Sequence, residues 1–104
     1  MPVKQYQPTR PPDQDKLVDR LADEWRTPNP KATEPVILEE RISHGDIIHI
    51  YVVWSDWEHL TREQRGEIIM DAAERLKPKI EVLKITIAMG LTPDEADRFG
   101  IKWR

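Results

Sequence analysis

Ile47 to Ser55 reads IIHIYVVWS, and a run so rich in β-branched and aromatic residues fits the pleated, half-buried surface of a strand. Successive side chains of a strand point to opposite faces. That parity places Ile48, Ile50, Val52 and Trp54 on one side and Ile47, His49, Tyr51 and Val53 on the other. The first set is wholly apolar and requires a core. The second mixes apolar with polar groups and suits a half-exposed face. A strand of this kind needs neighbours and a covering layer, so the rest of the chain has to supply both.

The neighbours are legible on either side. Val36 to Ser43 reads as a strand, and His44-Gly45-Asp46 supplies a turn in which glycine takes a positive φ, so the two strands form an antiparallel hairpin. Further on, KIEVLKITIAMG has apolar Leu83, Ile85, Ile87 and Met89 alternating with polar Lys84 and Thr86. Alternation and β-branching favour a third strand closed by Gly90, although a helix is also open to this segment. It follows the second strand through a helix, so parallel pairing would need a right-handed crossover.

The covering layer comes from helices. Asp13 offers an N-cap for a helix over about 14–26, where Leu17, Val18, Leu21, Ala22 and Trp25 recur at helical spacing. Thr27-Pro28-Asn29-Pro30 stops it, since a proline disfavours helix in the residue before it. The segment from there to Pro35 reads as a linker that gives this helix room to dock loosely. Thr61 and Gln64 fit a capping box, followed by a buried stripe of Ile68, Ile69, Ala72, Ala73 and Leu76 that ends before Pro78. Thr92-Pro93-Asp94-Glu95 is a complete helix start, with Thr as cap, Pro first and Glu third. Ala96 and Phe99 then point inward and Gly100 ends a short helix. Seven of the nine prolines lie within the first 35 residues, so residues 1–12 read as a flexible or extended arm before a single domain over 13–104. The expected fold is a small two-layer α+β domain with a three-stranded sheet, in the order α-β-β-α-β-α.

Composition narrows function. With 104 residues the chain is one domain by length, and with no cysteine it holds no disulfide, thiolate metal site or cysteine nucleophile. Sixteen basic against nineteen acidic residues give a net charge of −3, unsuited to general polyanion binding unless the charge is segregated. No apolar run approaches the roughly 18 residues that span a bilayer, and MPVKQYQPTRPP lacks the apolar region of a secretory signal. A cytoplasmic protein is the expectation.

Candidate sites are few. His44, His49 and His59 lie near Asp46, Asp56 and Glu58, a ligand set that suits metals in chemistry. Yet His44 and His59 flank the long strand at opposite ends, roughly 30 Å apart at about 3.3 Å per residue, and cannot share an ion within one chain. Asp56, Glu58 and His59, between strand and helix, are the place for an acid–base pair if the chain is an enzyme; they equally suit a solvated turn whose carboxylates complement the next helix. Ser55 has no nucleophile-elbow context, and phosphate-loop, dinucleotide and H-E-x-x-H patterns are absent. IAMGLTPDEADRFGI has a glycine between two potential helices, but its second helix carries Asp94, Glu95 and Asp97 against Arg98, the wrong charge for a phosphate backbone. Trp54 belongs to the core face by parity. His49 and Tyr51 on the outer face, and Trp57 past the strand end, are the candidate interface residues.

Ser55-Asp56-Trp57 after the strand, the helix containing Arg65, the run Ile80-Glu81-Val82-Leu83-Lys84-Ile85 and Thr92-Pro93-Asp94-Glu95 together give residues 47–95 a resemblance to the BolA family, whose fold is similar to a class II KH domain. The resemblance spans about half the chain and implies the α-β-β-α-β-α topology. The family places a histidine at the start of its last strand and uses it with monothiol glutaredoxins to hold an iron–sulfur cluster. That position falls on Glu81 here, and three or four extra residues separate the strand from Thr92, so the cluster site does not carry over. The GxxG loop of nucleic-acid-binding KH domains is missing as well. With no cofactor implied, the expected function is a non-catalytic protein-interaction or regulatory domain, self-associating or bound to a protein partner. The alternatives are a small enzyme using Asp56, Glu58 and His59, or a KH-like nucleic-acid binder. An outer face carrying Ile47, His49, Tyr51 and Val53 needs cover, either from Leu17, Leu21 and Trp25 of the first helix or from a second subunit.

Overall fold

Val36–Ile42 (β1) and Ile47–Val53 (β2) pair antiparallel across a four-residue turn, with Ile42 opposite Ile47 and Val36 opposite Val53. The turn is left-handed at three successive residues, Ser43, His44 and Gly45, the twist that tight hairpins favour. Ile85–Leu91 (β3) lies parallel to β2 on its other side, so the sheet is mixed and β2 is central. The computed structural model describes residues 11–104. Its order is α-β-β-α-β-α, a compact α+β fold, with a further one-turn helix before β3.

The helical layer packs on the Ile48/Ile50/Val52 side of the sheet. Pro12–Arg26 (α1) begins earlier than Asp13 suggests. Pro11 occupies the cap position without a side-chain bond, and Pro12 starts the helix with its φ already set, while Asp13 and Asp15 face the positive end of the helix dipole. Of the arm expected over 1–12, residues 1–10 lie outside the described residues. The helix docks firmly: Val18 and Leu21 are almost fully buried in one cluster with Ile48, Ile50, Ile68 and Ile69. Arg62–Leu76 (α2) carries the expected capping box, Thr61 Oγ1 accepting from Gln64 N–H and Gln64 Oε1 from Thr61 N–H. Arg75 pairs with Asp19 and ties α2 to α1.

The segment 79–90 divides between the two conformations open to it. Lys79–Val82 (α3) is one helical turn started by Pro78, with Glu81 N–H donating to the Pro78 carbonyl. The strand starts at Ile85 and runs through Gly90 to Leu91 instead of closing at Gly90. Parity alone puts Ile85, Ile87 and Met89 on one face. The pairing slips by one residue, however: Ile48 faces Ile85 and His49 faces Ile87, so Thr86 is skipped. This irregularity sends Ile85 to the main core, while Ile87 and Met89 line up with His49 and Tyr51.

Pro93–Arg98 (α4) follows with the second capping box, between Thr92 and Glu95. Ala96 is fully buried as expected, but Phe99 is 55% exposed instead of pointing inward. Gly100 takes a φ of 73° and turns the chain back, so that Ile101 and Trp103 reach a second, smaller cluster with Val53, Leu91 and Val36. Among the described residues no helix is long and apolar enough to cross a membrane.

Candidate functional site

The outer face of the sheet is organised in rows that cross the three strands. Val36, Val53 and Leu91 form the first, Leu38, Tyr51 and Met89 the second, Glu40, His49 and Ile87 the third. Ile42 and Ile47 finish the hairpin end. The C-terminal segment covers the first row through Ile101 and Trp103, and is held there by Asp97, which accepts from Trp103 Nε1 at 2.9 Å and from Arg104 at 3.0 Å. The first helix covers none of this face, because its apolar stripe is spent on the opposite side.

A groove of about 590 Å³ therefore opens between the C-terminal segment and the third row. Leu38, Tyr51 and Met89 make its floor, Phe99, Ile101 and Lys102 one wall, and Glu40 the other. His49 and Tyr51 come together as expected, ring edge to ring face at 6.5 Å between centroids. His49 Nδ1 lies 3.3 Å from Glu40 Oε1 across the strand pair, so the imidazole is oriented by a carboxylate that is itself largely solvated.

Trp57 does not join them. It sits in a 3-10 turn, Ser55–Trp57, that folds the chain back under the sheet, and it is fully buried. Its Nε1 donates to the Val52 carbonyl at 3.0 Å, and its ring meets Trp54 edge-on at 5.0 Å. Burying an indole demands a hydrogen-bond partner, and the carbonyl of the strand it has just left supplies one. Trp57 is a core residue, not an interface residue.

The junction around it does not bring the acid–base candidates together. Asp56 faces Arg20 of α1 at 3.9 Å, His59 is exposed, and Glu58 alone of the three lines the adjoining cleft of about 420 Å³. Glu34 fixes this junction from outside, accepting from Ser55 N–H at 2.7 Å and from Ser55 Oγ at 2.8 Å. His44, in the hairpin turn, is at the far end of β2 from His59.

Among the described residues the best-buried charge lies outside every candidate that the sequence offers. Arg65 is 5% exposed; its Nε donates to the Trp57 carbonyl at 3.1 Å, and its Nη1 to the Gly90 carbonyl at 3.2 Å and to Glu95 Oε1 at 2.6 Å. Partial burial by itself would raise the Glu95 carboxyl, but the Thr92 backbone N–H and the Arg65 guanidinium outweigh it and hold the group below its ordinary 4.5. Gly90 permits the arrangement: a Cβ there would lie 2.7 Å from Arg65 Cβ and 3.0 Å from the Trp57 ring. The signal was present in the sequence, since Arg65 continues the stripe of Ile68, Ile69 and Ala72 one turn back, and an arginine on an apolar stripe needs a partner. No fully buried side-chain donor or acceptor among the described residues lacks a partner, and these bonds clamp α2, β3 and α4 together.

Comparison with protein-family models, curated proteins and solved structures found no match.

Proposed function

We propose that the chain is a non-catalytic, cytoplasmic protein-interaction domain that works through the outer face of its sheet. The observation that supports this reading is the incomplete cover on that face: Leu38, Tyr51 and Met89 stay only half-buried in a groove that, among the described residues, no helix closes, with half-buried Ile87 beside them. Apolar area of this kind, rimmed by Glu40, His49 and Lys102, has the make-up of a contact surface, an apolar centre with a polar rim. The mixed sheet and the α-β-β-α-β-α order support the resemblance to the BolA family as a shared scaffold, without its cluster ligand.

The test is Tyr51→Asp, which places a charge on the groove floor while leaving the opposite, packed face of β2 intact. Sedimentation and pull-down should both register weaker self-association or partner binding. Unchanged behaviour in a folded variant would remove this face from the function.

A further inference from the structure

The outer face is lopsided. One end carries a ridge, the segment Phe99 to Lys102 lying over the first row; the other end, from Glu40 and His49 to Ile42 and Ile47, carries no such layer among the described residues. A two-fold axis through the groove would superpose these opposites, setting the ridge of each copy onto the bare end of the other. Isologous contact requires just this property, that residue i meets j while j meets i. The charges obey the same condition. Glu40 stands on the sheet wall with its side chain 61% exposed. Lys102 stands exposed on the ridge wall and, among the described residues, has no ion-pair partner. Phe99, 55% exposed on the ridge, supplies an apolar knob for the half-buried isoleucines of the bare end.

We infer that a second copy of this chain occupies the groove, with Lys102 of each subunit paired to Glu40 of the other. This rests on the reading of the outer face as a contact surface and names its partner. A copy of the chain brings both the ridge and the matching charge, whereas a foreign partner would have to present both independently.

The experiment is sedimentation equilibrium on the wild type, on E40K, on K102E and on an equimolar mixture of the two variants, with circular dichroism to verify folding. Both positions are exposed, so the fold tolerates either change. The wild type is expected to dimerise. Each single reversal puts like charges at both contacts of its own dimer and should raise the dissociation constant tenfold or more. In the mixture every contact again joins opposite charges, so a heterodimer of near wild-type affinity should form. Recovery on mixing requires contacts between chains, which a pairing inside one chain cannot mimic. A monomeric wild type at a concentration on the order of 1 mM, or a dimer indifferent to these reversals, overturns the inference. If Tyr51→Asp then still abolishes binding to a different protein, the contact surface stands and only its proposed occupant falls. If the wild type dimerises and neither Tyr51→Asp nor the reversals affect it, both fall.

Discussion

Arg65 Nη1 lies 2.6 Å from Glu95 Oε1, joining the first turn of α2 to the first turn of α4. The same glutamate caps its own helix by accepting from Thr92 N–H at 2.8 Å. One carboxylate thus starts a helix and neutralises a guanidinium that is almost wholly removed from water. Taking away one member of such a pair leaves the other charge uncompensated, which is costlier than the pair itself is stabilising.

Glu95→Ala should therefore lower the stability to urea by about 2–3 kcal/mol, somewhat under the range for fully buried pairs because Glu95 keeps some contact with solvent. Glu95→Gln retains an acceptor for Thr92 and Arg65 and should cost less. A chemical denaturation series ranking the two variants equally would contradict the charge-pairing role.

Acid should act through the same group. The folded state holds the Glu95 carboxyl below its ordinary 4.5, so on acidification the unfolded chain takes up this proton first. Its contribution is complete above that value and is lost as pH falls through the lower, folded-state value. Wild type should accordingly lose stability below about pH 4.5 more steeply than Glu95→Gln, with no difference in slope between pH 5 and 7. Parallel acid-unfolding curves for the two proteins would rule this out.

Gly90→Ala tests the close approach at the centre of the clamp. The added methyl would lie 2.7 Å from Arg65 Cβ, closer than packed atoms come, and 3.0 Å from the fully buried Trp57 ring, which would have to give way. Overpacking of this order costs about 2–3 kcal/mol, a fall in Tm on the order of 10 °C for a domain of this size. Calorimetry showing no loss would mean that the ring and the guanidinium yield freely.

Trp57→Phe separates core from surface. It removes the donor to the Val52 carbonyl and leaves a void, so stability should fall by about 2–4 kcal/mol. Association of the folded protein should be unchanged, the reverse of Tyr51→Asp. An effect of Trp57→Phe on association without loss of stability would return this residue to the interface.

Much of the scaffold was legible because its signals are local. The parity of IIHIYVVWS assigns both faces of β2 correctly, and the two Thr caps locate the starts of α2 and α4. What escaped depends on contacts distant in sequence. The fate of Trp57 is decided by Val52 behind it and by Gly90 far ahead. The faces of β3 hinge on the skipped Thr86, and a one-residue slip inverts any parity argument. Phe99 sits at the helical spacing of a buried residue after Ala96, but α4 is too short for its stripe to extend that far, and Arg62 of α2 lies over the ring instead, 5.4 Å from its centroid. His49 and Tyr51 were found by parity, whereas the groove between them and the C-terminal ridge required the reversal at Gly100.

The parallel pairing of β2 with β3 also fixes an order of assembly during synthesis. The β1–β2 hairpin closes over four residues and can form as soon as it emerges. The other edge of β2 must wait until α2, α3 and β3 have followed. For that interval the most β-prone stretch of the chain presents an unpaired edge, the template on which strands of neighbouring nascent chains add. Pairing with β3 is therefore the step that closes this edge and makes β2 the central strand.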